Sequence, residues 1–343
     1  MSVLILEFAS EELLRITQKD RNQNFFDEQA LSLLCSELEG SLKIEGVNTT
    51  RRQIMKVIKN EKHENKNDQI IKNMYDGFRY VLDKPEFNKD NLKHLYDLLS
   101  KNCLDDDDLI GDRYYRYDDV VVGNKEYVGC PAEKIEEAMN SLFVYVKDII
   151  NREHTDREFK LLPHICHYYF LYIHPYFDFN GRTARMVYLW IRVLGNHLLE
   201  PLYLSEAIND EKVLYYKAIE ESRDSCNDLT YFLIFCLSLA NAYQIIYKNC
   251  NTIANVFEEK AEQLSVNDLY NIKRIMINKQ TNYFTSKTYE NWTNREISRQ
   301  ATFKELSRLE SLKILLSKTD GKTKFYKLND ELITYQVPKV KEY

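Results

Sequence analysis

One stretch, residues 174–185, constrains the fold of this chain more than any other; it reads His-Pro-Tyr-Phe-Asp-Phe-Asn-Gly-Arg-Thr-Ala-Arg. The preceding segment, Phe159–Ile173, is apolar and aromatic. A helix should end there, because the residue before a proline avoids helical geometry. The following segment, Thr183–Gly195, has apolar residues at helical spacing. Residues Phe177–Gly181 are therefore predicted to form a loop that leads into the N-terminus of a helix.

The residues of this loop have the chemistry of an anion site. Free backbone N–H groups and the helix dipole at a helix N-terminus attract phosphate. Arg182 and Arg185 lie on one helix face and provide planar donors for phosphate oxygens. Asp178 provides the hard oxygen ligand that Mg²⁺ prefers. The unperturbed pKa of His174 suits proton abstraction near neutral pH. The stretch thus combines a base, a metal ligand and a phosphate cradle.

The stretch also resembles the signature of Fic (Fido) domain proteins: His-Pro-Phe, any residue, Asp or Glu, Gly-Asn-Gly-Arg, two residues, Arg. The resemblance implies a mainly α fold, with a Fic-type helical bundle and a short β-hairpin flap. It further implies Mg²⁺-dependent transfer of AMP from ATP to a protein Ser, Thr or Tyr hydroxyl. In these roles His174 deprotonates the hydroxyl, Asp178 holds Mg²⁺, Asn180, Gly181 and Arg182 hold the α and β phosphates, and Arg185 reaches the γ phosphate.

Two residues depart from this signature. Tyr176 replaces Phe, and its ring can still anchor the loop if the hydroxyl finds one partner. Phe179 replaces a Gly whose conformational freedom lets the main chain approach phosphate closely. Either the loop has ordinary backbone angles at Phe179, with the ring turned away, or the nucleotide is placed differently. The second alternative leaves open a Fic-fold transferase that uses another nucleotide or phospho-group donor.

A second resemblance concerns residues 41–46, Ser-Leu-Lys-Ile-Glu-Gly. In Fic proteins an inhibitory helix reads Ser or Thr, three residues, Glu, then Gly or Asn. Ser41 and Glu45 lie on one face of a helical turn, and Gly46 can end the helix. The resemblance implies that Glu45 pairs with Arg185 and blocks the γ-phosphate position. The alternative is an ordinary surface helix end.

Two other segments resemble parts of the same domain. A hairpin is predicted from the valine run and turn formed by Val120, Val121, Val122 and Gly123. By resemblance it is the flap that docks the target segment through main-chain pairing, and a plain hairpin is the alternative. Gly111 and Arg116 resemble the stretch that leads into the flap. Tyr215 and Tyr216 resemble the segment that frames the adenine ring, but helix packing explains paired tyrosines equally well.

The composition favours a mainly helical protein with reduced thiols. The 343 residues suggest two or three domains, and 44% are hydrophobic with only 9 Gly and 6 Pro. The 7 Cys are scattered without a Cys-x-x-Cys pair. The N-terminus lacks the basic segment of a signal peptide, and the longest apolar run, Tyr231–Leu239, is too short to span a bilayer. We therefore expect a cytoplasmic protein without membrane contact. Whether it acts alone or as a homodimer stays open.

The C-terminal region differs in pattern and in charge. Three helices are predicted there: Leu264–Met276, Thr293–Arg299 and Thr302–Leu312. Asp320-Gly321 is a strong hairpin-turn signal, and three helices followed by a hairpin resemble a winged helix-turn-helix. Residues 262–343 carry a net charge of +5 and the rest carries −11. This asymmetry favours duplex DNA as a partner, whereas a winged helix that contacts protein is the alternative. The candidate DNA contacts on the second and third helices are Arg299, Lys304 and Arg308.

These patterns predict three regions: an N-terminal helical region at 1–90, a Fic catalytic domain at 91–256 and a winged helix at 257–343. The expected activity is that of a protein adenylyltransferase inhibited by Glu45. Its substrate is either another protein or the chain itself. The alternative from a different functional class is a DNA-binding regulator whose Fic site senses a ligand or is inactive.

Overall fold

The computed structural model describes residues 25–59, 65–83, 85–121, 129–152, 156–195, 203–259, 264–278, 283–293, 298–338 and 340. Within these residues the protein is mainly α-helical, as predicted, with one two-stranded antiparallel sheet. The helices and strands are α1 Phe25–Ile44, α2 Arg51–Ile58, α3 Lys66–Leu82, α4 Lys89–Ser100, α5 Ile135–Asn151, α6 Asp156–Ile173, α7 Asn180–Leu194, α8 Leu204–Asp210, α9 Lys212–Asp224, α10 Thr230–Glu259, α11 Val266–Ile277, α12 Ser286–Thr293, α13 Arg299–Ser311, β1 Leu315–Asp320 and β2 Thr323–Leu328.

The described residues fall into two compact units, which are principally Leu33–Cys236 and Leu237–Lys341. The division lies within α10, a helix that continues past the predicted boundary at 256–257. The predicted domain limits stay a prediction.

Helix α7 is the centre of the first unit. It packs against α6, α3 and α4, and its side chains are buried on nearly all sides, including Trp190 and Ile191. A helix that is surrounded in this way belongs to the core rather than to the surface. It begins at Asn180, three residues before the predicted start at Thr183. It ends before Gly195, where an added Cβ would lie 1.6 Å from the Phe159 ring.

Helix α10 is the longest apolar helix in the described part of the chain. Its segment Thr230–Phe257 is long and apolar enough to cross a membrane by length and composition, with mean hydropathy 1.3. Core helices of water-soluble proteins meet the same criterion, so this is weak evidence for a membrane span. Buried residues along it, such as Phe232, Phe235 and Ile253, face protein.

The second unit has its own apolar core. Side chains of α10, including Ile253, pack with residues of α11, α12, α13 and the hairpin. The hairpin forms where it was predicted, with Asp320 paired to Thr323 and with Gly321 at a φ of 58°. Phe284 adds a bridge to Tyr326 through two backbone hydrogen bonds of 2.8 Å. The order of three helices and a hairpin agrees with the sequence pattern, while its interpretation as a winged helix stays a prediction.

The described residues contain a helix at Ser286–Thr293 that was not predicted. Most of the predicted second helix, Thr293–Arg299, lies outside the described residues. The signal for the start of the described helix is Thr285, whose hydroxyl accepts a hydrogen bond from Thr288 N (3.3 Å). Arg299 instead begins the third helix, and Ser298 caps that helix through Ala301 N.

Candidate active site

The loop between α6 and α7 is held by hydrogen bonds between residues that are close in sequence. The Asn180 side chain accepts from Tyr176 N (3.0 Å) and donates to Tyr176 O (2.7 Å). The Thr183 hydroxyl donates to Phe179 O (2.8 Å). Because each of these partners is at most four residues away, the loop from Tyr176 onward is specified locally. It ends at the α7 N-terminus, where backbone N–H groups without an intrahelical partner can bind an anion.

His174 lies where the chain leaves α6. Its φ of 53° is left-handed, which is strained for a residue with a side chain. Burial lowers the pKa of His174 to about 4, although the Leu171 carbonyl beside the ring acts in the opposite direction. No hydrogen bond of good geometry to Nδ1 is present in the described residues. The imidazole is therefore neutral at pH 7, as a general base must be.

Phe179 lacks the ordinary backbone angles that one of our two alternatives assumed. Its φ is 65° and its ψ is 8°, in the left-handed region that favours glycine. The ring is buried, and the Arg182 guanidinium carbon lies 3.5 Å from the ring centroid. The loop thus keeps the backbone geometry of a glycine while it buries a phenyl ring. A non-glycine residue in this region typically costs about 1 to 3 kcal/mol.

Asp178 lies on the open side of the loop, with its side chain about half exposed (48%). Its carboxylate accepts from Phe179 N and lies 3.3 Å from Arg182 Nη2. An accessible carboxylate fits Mg²⁺, which commonly binds one or two carboxylates together with phosphate and water oxygens. The described residues contain no group of three or more His, Cys, Asp or Glu that could hold a metal. A Mg²⁺ ion at Asp178 would therefore take its other ligands from the substrate and from water.

The end of α1 reaches the second arginine of the loop. Arg185 Nε donates to the Ser41 hydroxyl (2.9 Å), and Arg185 Nη2 donates to Ser41 O (3.1 Å) and to Glu45 Oε1 (2.8 Å). The chain turns away at Gly46, whose φ is 77°. The contact between Glu45 and Arg185 that the resemblance implied is thus present. Its inhibitory role stays a prediction.

The Glu45 carboxylate lies directly over the N-terminus of α7. A Cβ added at Gly181 would be 2.3 Å from Glu45 Oε1, so only glycine leaves room for this contact. Burial raises the pKa of Glu45, but the charge and hydrogen bond of Arg185, with Arg182 and Lys212, outweigh burial and lower it. The carboxylate is ionised at neutral pH. It occupies the position where an anion is most favourable.

Sequence reasoning missed the other contacts that hold α1. Glu37 accepts hydrogen bonds from Ser205 N (2.8 Å) and from the Ser205 hydroxyl. Gly40 packs against the same segment, where an added Cβ would lie 2.5 Å from the Ser205 carbonyl carbon. Lys212 Nζ donates to Ile44 O (2.6 Å) and so caps the end of the helix. The one sequence signal was that Glu37 and Ser41 share a helix face.

The two candidate adenine residues differ from each other. Tyr215 is buried, and its hydroxyl lies 2.8 Å from Nε2 of the buried His167. This environment favours the packing alternative for Tyr215. Tyr216 is 44% exposed and can still present a ring face to a ligand.

The predicted flap lies largely outside the described residues, because Val122, Gly123 and the rest of the turn are not included. Val120 and Val121 are described, and Val120 O accepts a hydrogen bond from Gly129 N (3.1 Å). The base of the segment is therefore closed. Whether it is a target-docking flap stays a prediction.

The candidate DNA contacts all lie on the third helix of the second unit, not on two helices. Arg299 and Lys304 are exposed on α13, and the Arg299 guanidinium lies 5.6 Å from the Phe303 ring. Arg308 is about half exposed, but its Nε pairs with Asp268 at 3.1 Å. The first two residues are therefore better placed than Arg308 to bind a partner.

A family profile described as Fic/DOC matches residues 86–191, which include the whole signature loop. Among solved structures, the protein is similar to a Fic family protein from Desulfovibrio desulfuricans G20, with 17% identity, a TM-score of 0.52 and 96% of each chain covered. It is also similar to Fic-1 (residues 134–508) from C. elegans, with 16% identity, a TM-score of 0.49, and 70% of this chain and 69% of that chain covered. A search of curated proteins gave no match.

The family match and the fold agree, so the chain contains a Fic/DOC family domain and has the helical Fic fold. This confirms the family and the fold class that the signature loop predicted. A Fic domain indicates a transferase. At these identities the structural likeness shows the fold alone, and the activity must be argued from the site.

Proposed function

We propose that the protein is a Mg²⁺-dependent protein adenylyltransferase that moves AMP from ATP to a protein hydroxyl and is held inactive by Glu45. One observation carries this proposal. The Glu45 carboxylate is bound to Arg185 at 2.8 Å and lies over Gly181, at the N-terminus of α7. A charged side chain placed on an anion site makes sense if the site has an anionic ligand to exclude.

The residues of the loop match the needs of the reaction. Neutral His174 takes the proton of the target hydroxyl as its oxygen attacks the α phosphorus of ATP. The bond between the α phosphorus and the bridging oxygen breaks, and pyrophosphate leaves. The backbone N–H groups at the start of α7, with Arg182 and Arg185, bind the phosphates. Mg²⁺ held by Asp178 would neutralise charge on the phosphate oxygens.

Inhibition follows from competition for one arginine. Arg185 cannot donate to Glu45 and to a γ phosphate at the same time, and Glu45 fills the space above Gly181. The proposal needs ATP, Mg²⁺ and a protein substrate, which is either another protein or the chain itself. It places the reaction in the cytoplasm, in keeping with seven cysteines that are all free thiols.

The test is incubation of the parent protein and of Glu45→Gly with ATP, UTP or GTP plus Mg²⁺, followed by intact mass. We expect Glu45→Gly to gain the mass of one AMP at least about tenfold faster than the parent, since about 1.4 kcal/mol corresponds to a factor of ten. Glu45→Gln is the graded control. It keeps the shape of the side chain and loses its charge, so its rate should lie between the two.

Two results would contradict this proposal. One is that Glu45→Gly is no more active than the parent. The other is that the double variant with His174→Ala is as active as Glu45→Gly alone. A gain of the mass of UMP, GMP or phosphate would instead support a Fic-fold transferase with another donor. The buried ring of Phe179 favours that candidate, because it occupies a position where the signature has glycine.

A second candidate function is duplex DNA binding by the second unit. Its supporting observation is that Arg299 and Lys304 are exposed on one helix of a region with a net charge of +5. Phosphate contacts release counterions, so binding of the full chain to a DNA duplex should weaken steeply with salt. Arg299→Ala with Lys304→Ala should weaken it further. No gel shift at low salt would favour a regulatory protein contact.

A further inference from the structure

Arg116 connects three segments of the first unit that are far apart in the sequence. Its Nε donates to His174 O (2.8 Å), and its backbone N donates to Pro175 O (2.9 Å). Its two Nη groups donate to Asp118 O and Cys130 O, on the two sides of the predicted flap. One buried side chain therefore contacts the start of the signature loop and both ends of the flap segment.

Only a guanidinium can make this set of contacts. Its donors lie in one plane and point in fixed, diverging directions, whereas a lysine ammonium serves as a single point charge. The side chain of Arg116 has no exposed surface, and its nearest described carboxylate, Asp119, lies 3.8 Å away. Burying a charge among carbonyl groups is costly unless each donor is used. The side-chain donors of Arg116 described above bind backbone carbonyl oxygens of His174, Asp118 and Cys130.

The position of the His174 ring depends strongly on that backbone. The ring makes no hydrogen bond of good geometry through Nδ1 within the described residues, although the Leu171 carbonyl lies beside it. The main chain at His174 is left-handed and strained. The bond from Arg116 to His174 O restrains the peptide that carries this strain. A shift of the backbone at Asp118 or Cys130 would move the Arg116 guanidinium and, through it, His174.

We propose that Arg116 is a positioning residue that ties the backbone at Asp118 and Cys130 to His174 and so holds this general base in place for transfer. The inference rests on the proposed function. It goes beyond it in assigning a role to a residue that touches neither nucleotide nor target. It also predicts that Arg116 affects the rate of transfer and leaves nucleotide binding alone, because residues 178–185 are intact without it.

The test uses the full chain with Glu45→Gly as background. Arg116→Met, Arg116→Ala and Arg116→Lys are compared with Arg152→Met, a control in which the arginine is half exposed and pairs at the surface with Asp148 and Glu158. Self-modification is followed by intact mass over a range of ATP concentrations, and guanidinium chloride at millimolar concentration is added to Arg116→Ala. Ethylammonium chloride is the matched control for rescue.

We expect kcat of Arg116→Met to fall about a hundredfold with KM for ATP changed by less than about twofold, since a displacement near 1 Å can have this effect. Arg116→Lys should fall by nearly as much, and guanidinium should restore at least about a tenth of the lost activity to Arg116→Ala. Unchanged kcat, a loss explained by KM, or no rescue by guanidinium overturns the proposal. If the Met and Ala variants do not fold, Arg116→Lys alone decides.

A second measurement separates this inference from the proposed function. In protein with ¹³C-labelled histidine, the His174 signal is assigned by its loss in His174→Ala. We expect this signal to shift or broaden in Arg116→Lys and to stay unchanged in Arg152→Met. If the Glu45→Gly background transfers no nucleotide, the proposed function fails, and the His174 signal still tests the coupling. An unchanged signal in Arg116→Lys overturns it.

Discussion

The signature loop and helix α1 meet at Arg185, yet they are built from opposite kinds of contact. In the loop, the hydrogen bonds of Asn180 and Thr183 join residues four apart. The contacts of α1 with Arg185, Ser205 and Lys212 join residues 140 to 168 positions apart. The loop from Tyr176 onward is therefore specified by its own sequence, whereas the end of α1 is held by tertiary structure.

This difference indicates how the site can be regulated. A loop that forms from local bonds keeps its shape whether or not α1 is docked. The polar contacts at the end of α1 can be broken without loss of the residues that do the chemistry, while α1 stays packed through buried side chains such as Leu38 and Leu42. Substitutions in the loop should therefore alter transfer or nucleotide binding. Substitutions at the polar contacts of α1 should alter the docking of α1. The following predictions test that separation.

The largest effect is expected for His174→Ala in the Glu45→Gly background. Transfer should fall about 10² to 10⁴-fold, the usual contribution of a general base. ATP affinity by calorimetric titration should be retained, because the phosphate-binding residues lie beyond His174 in the loop. The exposed His94→Ala is the control and should transfer normally. Transfer by His174→Ala at the background rate would show that His174 is not the base.

Phe179→Gly tests whether the loop needs its buried ring. The change relieves left-handed strain but removes a buried aromatic side chain, so the free energy of unfolding should fall by about 1 to 3 kcal/mol. Arg182 loses the ring beneath it, and affinity for ATP or UTP with Mg²⁺ should change. Phe179→Leu is the control, since it keeps the bulk and the strain. Equal affinities in parent, Gly and Leu proteins would mean that Phe179 suits the site as it stands.

Glu37→Gln tests, through the pH dependence of the free energy of unfolding, whether Glu37 helps to hold α1. Burial raises the pKa of Glu37 from 4.5 to about 7, against the bonds from Ser205 and the charge of Arg185. The folded state therefore favours the protonated carboxyl. The stability that protonated Glu37 contributes is complete below about pH 4.5 and is lost as pH rises through about 7. The loss is about 3 kcal/mol.

Urea unfolding at pH 5 and pH 8 measures this loss, as the difference between the parent and Glu37→Gln. The parent should lose more stability than Glu37→Gln over this range, while Glu86→Gln at an exposed site should behave like the parent. Identical pH dependence in the parent and Glu37→Gln would show that Glu37 ionises normally and does not govern the docking of α1.

The smallest effect is expected for Tyr176→Phe. The Tyr176 ring stacks on Tyr96 at a centroid distance of 3.6 Å, and its buried hydroxyl has no hydrogen-bond partner in the described residues. Removing an unsatisfied buried hydroxyl should raise the free energy of unfolding by about 1 kcal/mol. Tyr80→Phe is the control and should lower stability, because the Tyr80 hydroxyl donates to Asn91 (3.0 Å). A loss of stability in Tyr176→Phe would point to a partner such as bound water.

Local patterns in the sequence were sufficient for much of the fold and the loop. Pro175 marked the end of α6, Gly195 marked the end of α7, and Asp320-Gly321 marked the hairpin. Helix α12 shows the limit of such patterns, because it was not predicted although Thr285 suits a helix start. Its residue Tyr289 is buried, and that packing is a property of the tertiary structure.

What the sequence by itself determined is the chemistry of the loop, because the bonds of Asn180 and Thr183 connect neighbours. Only the tertiary structure decided the burial of Tyr215 and the contacts of Glu37, Lys212 and Arg116. Each of these depends on which distant backbone or side chain faces the residue. These long-range contacts cannot be predicted from the number of residues between the partners, because a chain can close long loops of many lengths at similar entropic cost.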